Sequence, residues 1–442
     1  MLTLSAMLPT LFPPNCNGAK DSTPCPPARF HVIAFYFSLY VVALAQGGQT
    51  PCAVAFGADQ FDENEPEECK DKSSFFNWWY FATCGGSNFA MFMLNYVQDN
   101  IGWALAFGIS GIAMAIALLI FLTGSRTYRR HRLEHRNPFT AIFEACITSI
   151  SSQQSLPLHT SKDEAREALL AHAAHRSKFS HGSNEESVNE DSEVEEVKGL
   201  LRLFPIWASC LFYSVVLCQS STFFTKQAST LDRTIGTSFQ VPPAALQGFI
   251  GLSSVAFVPI YDRVVLPIAR KYTGKISGIT MLQRIGTGLA LSTITTVAAA
   301  LIEMKRLKTA RDFGLVDQPN ATIPMSISWM IPEYVMYGMT TVLTVAGLQE
   351  FFYDQVPATL RSLGLALFLS ILGIGNFASG FLVSVIEKVT RKRGESWFSD
   401  NLNRAHLDYF YWLLAGVSAI EFIIYVYFAR SYVYKRKITV MT

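Results

Sequence analysis

Ile101-Gly-Trp-Ala-Leu-Ala-Phe-Gly-Ile-Ser-Gly-Ile-Ala-Met-Ala-Ile-Ala-Leu-Leu-Ile-Phe-Leu-Thr123 runs 23 residues without a charged side chain. A bilayer core about 30 Å thick takes roughly 20 apolar helical residues to cross, so this stretch reads as a membrane span. Blocks of the same kind recur at about 30–56, 75–97, 203–222, 243–262, 279–302, 325–348, 362–386 and 408–429, nine in all. Helices of a soluble core keep a polar stripe, and these mostly do not. Composition agrees: half of the 442 residues are hydrophobic and 16% are charged, whereas about a quarter is charged in an ordinary soluble domain. The expected fold is all-α and membrane-embedded, with no room for a large soluble domain.

The net charge of +2 gives nucleic acid no reason to bind. Eight cysteines lie scattered, among them Cys52, Cys84, Cys146, Cys210 and Cys218, without CxxC or Cys/His spacing, so packing is their expected role and no metal is implied. Cys16 and Cys25 share one polar loop and would pair only in an oxidising compartment. Met1–Phe12 has no basic n-region and ends in Pro13-Pro14, unlike a signal peptide, and it is too short to span. It reads as the tail of a helix. Thr273-Gly-Lys275 is followed by Ile276, so no phosphate cradle forms, and neither HExxH nor GxSxG occurs. A gradient-driven carrier or channel is left; an ATP-driven pump or a membrane enzyme is not supported, and no cofactor is implied.

The longest polar interval, about Ser125 to Lys198, opens on Arg126, Arg129, Arg130, Arg132 and Arg136 and closes on an acidic run over 184–196. It reads as a solvated linker, with Ser183, Ser187 and Ser192 in a context that suits an acidic-directed kinase and a short amphipathic helix at 163–175. Lys and Arg counted beside the spans place this linker and the tail Arg430, Lys435, Arg436 and Lys437 in the cytosol, together with Arg263, Arg270, Lys271 and Lys275. Lys305, Arg306, Lys308, Arg311, Lys388, Arg391, Lys392 and Arg393 fall on the other side, as does the sequon Asn320-Ala-Thr322. Six spans follow the linker and three precede it. Major facilitator carriers join two six-helix halves by a cytosolic loop. The expected organisation is therefore an incomplete N-terminal bundle at 1–123, a linker at 124–199 and a C-terminal six-helix bundle at 200–442, with the first helices missing.

Polar residues are costly in hydrocarbon and mark candidate pathways: Asn88, Asn95, Gln219, Thr222, Thr340, Thr341, Thr344 and Asn376, with Arg284 and Glu350 near span ends. Interhelical hydrogen bonding explains each of them equally well. The glycine pairs Gly47-Gly48, Gly85-Gly86, Gly286/Gly288 and Gly373/Gly375 permit close approach of helices. At one edge, Asp59 and Asp62 end the first span, where an acid opposes the helix dipole and calls for a basic partner or a capping role. Asp262-Arg263 with Arg270-Lys271 is similar to the loop that latches the cytosolic gate of major facilitator proteins.

Longer words then become readable. Gly47-Gly48, Phe56-Gly-Ala-Asp-Gln-Phe-Asp62, Ser73-Ser-Phe-Phe-Asn-Trp-Trp-Tyr80, Leu203-Phe-Pro-Ile-Trp207, Gln219 with Thr222-Phe-Phe224, Tyr261-Asp-Arg263, Gln283-Arg-Ile-Gly286, Gln349-Glu-Phe-Phe-Tyr-Asp-Gln-Val-Pro357, Trp397 and Asn401-Leu-Asn403 follow in order. The chain resembles the plant nitrate/peptide transporter family, the plant branch of the proton-coupled oligopeptide transporters, over essentially its whole length. The resemblance implies a secondary transporter of a small or anionic solute in the lipid bilayer, with the present spans standing for family helices four to twelve. It also implies that the helix-one ExxER motif is absent, that Thr50 stands where proton-coupled relatives carry lysine, that Thr341 replaces an acid and that Cys84 replaces an asparagine. Proton coupling is thus in doubt. The pocket is expected around Thr50, Tyr80, Cys84, Gln219, Thr222, Phe223 and Thr341, and gating at Asp59, Asp62, Asp262, Arg263, Arg284 and Glu350. A truncated non-transporting or regulatory protein is the second reading, its exposed groove implying poor stability or association with another copy. Plasma membrane and vacuolar membrane are both open.

Overall fold

In the computed structural model, the residues described are 29–62, 65–129, 199, 201–235, 239–274, 278–319, 321–356, 360–392, 396–399 and 401–432. The cysteines Cys16, Cys25 and Cys146, the linker serines, the helix expected at 163–175, Asn320 and the side chain of Asn95 lie outside them.

Nine helical rods run up and down through the described residues. The first three are α1 (Arg29–Ala58), α2 (Pro66–Asn100) and α3 (Trp103–Thr123). The fourth is in pieces: α4 (Phe204–Ser209), α5 (Leu211–Cys218) and α6 (Phe223–Ser229). The fifth joins α7 (Gln247–Ile260) to α8 (Leu266–Thr273) through a π turn at Tyr261–Val265. Then come α9 (Met281–Asp312), α10 (Ile331–Asp354), α11 (Arg361–Arg391) and α12 (Leu407–Ser431). Among the described residues, six rods are long and apolar enough to cross a membrane: α3, the fourth and fifth rods, α9, α11 and α12. Large apolar side chains point outward along most rods, as on Ile112, Leu118 and Ile120 of α3 or Ile420 and Ile423 of α12, where hydrocarbon is the compatible solvent.

Several rods outrun their apolar blocks. The helix begins at Pro66 rather than near 75, because Pro suits a first turn and the charged residues 67–72 are good helix formers. α9 continues past 302 for the same reason and carries Lys305, Arg306 and Arg311 inside the helix. Its start is fixed by a reciprocal cap, with Thr280 Oγ1 accepting from Gln283 N–H and Gln283 Oε1 accepting from Thr280 N–H.

The fourth rod departs most from the expected continuous span. Pro205 sits in the first turn of α4, and at Cys210 the N–H bends back to the Trp207 carbonyl at 3.2 Å, closing the helix. A second break at Gln219–Ser221 leads into α6. The rod's own side chains take up carbonyls near the breaks, Ser209 Oγ donating to Ile206 O, Gln219 Nε2 to Val215 O and Thr222 Oγ1 to Cys218 O, and other side-chain bonds tie the rod to its neighbour. Trp207 Nε1 donates to Leu367 O and Ser370 Oγ of α11, Ser214 Oγ to Leu372 O, and Gln219 Nε2 to Ser379 Oγ at 3.0 Å. Gly375 of α11 makes this possible, since a methyl there would lie 3.1 Å from Leu211 O and closer still to Ser214. A methyl on Gly288 would likewise meet α10, 2.9 Å from Thr344 N. Gly47, Gly48, Gly86 and Gly373, by contrast, face open space.

The core of α4–α12 falls into two large buried clusters and a small one of Tyr261, Leu266 and Leu343. One large cluster gathers Leu203, Ile206, Cys210, Tyr213, Ile285, Phe351, Phe352, Phe368 and Tyr425, the other Phe224, Tyr334, Tyr337, Ile323, Phe410, Tyr411 and Leu414. Beyond the second cluster, short β1 (Leu231–Asp232) pairs in parallel with β4 (Ile323–Ser326), and β2 (Thr234–Ile235) with β3 (Phe239–Gln240).

That end is fastened by a group that sequence reading put among loop charges. Arg306 is fully buried. It grips Glu303 through Nε (2.7 Å) and Nη2 (2.6 Å), and reaches Asn403 Oδ1 (3.0 Å), Leu402 O (2.8 Å) and Thr230 Oγ1 (3.3 Å). Asn403 donates in turn to Leu315 O and Gln318 O, and Asn401 to Val316 O. The helical reach of α9 past its apolar block is what carries Arg306 inward.

Replacing Arg306 with Met strands Glu303 in the core, and stability should fall by about 3–5 kcal/mol. The double variant Glu303→Gln/Arg306→Met should recover most of that, read as the melting temperature of the detergent-purified protein; equal melting of wild type and Arg306→Met would refute the fastening.

Candidate functional site

α1 and α2 meet α4–α12 along two seams. At the first, α2 crosses α7, and two α7 glycines admit α2 side chains: Gly248 receives Phe92 and Gly251 receives Asn88. Asn88 also donates to Cys84 O at 2.8 Å. This close crossing sets Tyr80 and Cys84 against Ser254 of α7 and Thr341 of α10. Tyr80 lies against Thr341 and Cys84, and Cys84 against Ser254. Ser254 Oγ and Thr341 Oγ1 are 3.3 Å apart, and both donate to Gly338 O, at 3.1 and 2.8 Å. Tyr213 of α5 approaches the same cluster beside Tyr80, its buried hydroxyl facing Thr344 without completing a hydrogen bond. Buried Thr340 Oγ1, Thr344 Oγ1 and Gln219 Oε1 are also without partners. Polar atoms left open in a core are where a polar solute or water can be accommodated.

Of the residues expected to line a pocket, Tyr80, Cys84 and Thr341 are therefore brought together. Thr222 and Phe223 lie elsewhere, on a cavity of about 850 Å³ shared by Cys218, Lys226, Asn376 and Ser379. Gln219 borders it through Ser379, while Phe223 stacks on Phe398 at 5.0 Å. Thr50 joins neither group, its hydroxyl returning to Gln46 O at 3.0 Å within α1.

The second seam closes one end of the molecule. Asp59, at the end of α1, pairs with Arg361 of α11 at 2.7 Å and accepts from the Tyr353 hydroxyl of α10. Lys72 of α2 pairs with Asp354 at 3.6 Å. The ring of Tyr353 stands between the two cations, 4.6 Å from Lys72 Nζ and 4.7 Å from the Arg361 guanidinium. Val54, Ala55, Ala58, Phe76 and Leu365 pack dry around it. Asp262, on the π turn, accepts from Ser74 Oγ (3.0 and 3.1 Å) and Asn77 Nδ2 (3.1 Å), and Arg263 lies over Trp78 at 5.7 Å. π turns often sit at functional places because they rotate side chains out of helical phase. Here the turn delivers Asp262 across the seam.

The remaining gating candidates act within one group of rods. Arg284 of α9 pairs with Glu350 of α10 at 3.3 Å, donates to Val342 O and lies over Tyr261 at 4.6 Å. Asp62 belongs to a loop tied to its own side: its N–H donates to Glu68 at 2.5 Å, and Glu68 pairs with Arg129 at 3.0 Å. The Asp62 N–H and the Arg129 guanidinium hold the Glu68 carboxyl below the usual carboxylate range. Arg361, Tyr353, Lys72, Asp354, Ser74, Asn77 and Ser254 were not singled out from sequence. Tyr353, Asp354, Ser74 and Asn77 stand inside quoted motifs; Arg361, Lys72 and Ser254 carry no local signal, because only tertiary contact gives them a partner.

Asp59→Ala and Arg361→Ala should each destabilise the purified protein by leaving a half-buried charge, and the double variant by less than their sum. A coupling of about 1–3 kcal/mol is expected from thermal unfolding of the four proteins; strict additivity would show that the pair contributes nothing.

Comparison with known proteins places these features. The family profile described as PTR2, POT family, matches residues 1–398. The chain is 54% identical to Protein NRT1/PTR FAMILY 5.10 of Arabidopsis thaliana, over 99% of this chain and 78% of that protein. It is 50% identical to Protein NRT1/PTR FAMILY 5.12 of the same plant, over 98% and 78%. Among solved structures, an auto-inhibited POT family peptide transporter shares the fold, with a TM-score of 0.63 at 21% identity over 92% of this chain and 79% of that one.

Proposed function

Because this chain belongs to the POT family and is thus a multi-pass membrane protein and secondary transporter of small solutes, we propose that it works by alternating access between α1–α3 and α4–α12. The observation that carries this reading is the one-ended seam: Asp59–Arg361, Lys72–Asp354 and Ser74/Asn77–Asp262 all lie at the same end, below the Tyr80–Ser254–Thr341 cluster. Carriers that rock one helical group against the other need contacts of this kind, made in one state and broken in the other. The basic residues Arg126, Arg129 and Arg263 gather at this end, and the positive-inside tendency makes it cytosolic. The conformation described is then the one closed toward the cytosol.

The solute is nitrate, a short peptide or another small organic molecule, engaged by the hydroxyls of Tyr80, Ser254 and Thr341. The separate cavity of Thr222, Phe223 and Asn376 carries Lys226, a cation that suits an anionic solute. Thr50 and Thr341 do not titrate near neutral pH, so neither drives flux by exchanging a proton. A carrier, not an enzyme, is the role that this arrangement serves.

Uptake of labelled nitrate and labelled dialanine into cells expressing the chain tests both parts. Asp59→Arg, at equal surface abundance, should lower uptake of whichever probe the wild type moves by about tenfold, and Asp59→Arg/Arg361→Asp should restore part of it. Unchanged uptake in Asp59→Arg would remove the seam from the cycle, and no uptake of either probe would exclude both as solutes.

A further inference from the structure

The break at Cys210 leaves the first turn of α5 with N–H groups that have no carbonyl behind them. One of these, Tyr213 N–H, donates to Glu421 Oε1 of α12 at 2.7 Å. Glu421 stands midway along α12, 6% exposed, and its second oxygen, Oε2, meets no hydrogen-bond partner. Among the described residues no lysine, arginine or histidine pairs with it. The fourth rod presents Cys210 and Tyr213 toward it as titratable groups. From α9, which packs along α12, the buried charges are Arg284, Glu303 and Arg306, held by Glu350 and by one another. α9 meets α12 near this level through Thr293 with Ser418 and Gly286 with Tyr425, all uncharged.

We propose that Glu421 is a proton-binding site that governs the break in the fourth rod. Two influences oppose each other at this carboxyl: the start of α5 favours the anion, and the surrounding hydrocarbon favours the acid. A proton from water adds to Oε2 and nothing leaves. The charge-assisted bond to Tyr213 then becomes a neutral one, about half as strong, and the start of α5 loosens. Tyr213 transmits this, since its backbone is held by Glu421 while its side chain lies beside Tyr80 and against Thr344. The site deepens the transport reading by supplying a titrating group where Thr50 and Thr341 supply none.

Its test requires no transport and so fails or succeeds separately from that reading. In the full chain in nanodiscs, infrared difference spectra between about pH 5 and 9 should show a protonated-carboxyl band that Glu421→Gln removes. Hydrogen exchange of the Tyr213 amide, corrected for intrinsic pH dependence, should quicken about three- to tenfold on acidification in the wild type. In Glu421→Gln, whose amide oxygen still accepts the N–H but does not titrate, that protection should be independent of pH. The same acid response in Glu421→Gln, or pH-independent protection in the wild type, overturns the proposal; the wild-type titration decides even if the variant does not fold.

Discussion

A helix that stops inside hydrocarbon must hand its open N–H and C=O groups to other parts of the protein, because no water is there to take them. The fourth rod stops twice, and much of the surrounding architecture answers to that fact. α11 brings Ser370, Ser379 and two main-chain carbonyls to Trp207, Ser214 and Gln219, and gives up a side chain at Gly375 to come near enough. α12 brings Glu421. A polar atom on either neighbour that looks isolated in sequence thus has a defined recipient. The pieces of the broken rod are tied to α11 by side chains, and one freed backbone group, the Tyr213 N–H, goes to a neighbour, Glu421.

The two ends of the molecule are built on different physics. Around Arg306 every donor is spent, on Glu303, Asn403, Leu402 and Thr230, and the contacts stay within α4–α12. Removing one member there orphans a charge, so the cluster is strongly all-or-none. The end with Asp59 and Arg361 is more exposed and joins α4–α12 to α1 and α2 through two ion pairs, one aromatic ring beside both cations, and hydroxyl and amide donors to Asp262. Asp59 and Tyr353 are shared among these contacts. One end thus stiffens a helical group within itself, and the other links it to its neighbours.

The membrane architecture was legible because lipid sets a run length that the chain must meet, and 101–123 or 408–429 meets it openly. Helix ends were less so: residues 66–74 and 303–312 are charged yet helical, and charge alone reads as loop. Arg306 illustrates the cost of that habit, since a basic letter near a span end was counted toward orientation when its side chain points inward. Tyr80, Cys84 and Thr341 could be grouped through the resemblance to nitrate/peptide transporters. Ser254 could not, as one serine among many on α7. Partners across the seam, such as Arg361 for Asp59, are separated by some three hundred residues and leave no periodic trace. Glu421 did leave one: it is the lone acid in the apolar run 409–429, a position that hydrocarbon makes expensive.

The tight far end has a mechanical corollary. From Arg306 back to Arg284, α9 spans about 33 Å at 1.5 Å per residue, so a rigid tilt of α4–α12 about the Arg306 end would act through an arm of roughly that length. A tilt of about 5° swings the other extremity by some 3 Å, which is comparable to a whole hydrogen-bond length. The pairs at Asp59 and Lys72 measure 2.7 and 3.6 Å. Leverage of this size turns an angular change too small to disturb core packing into complete loss of contact at the rim.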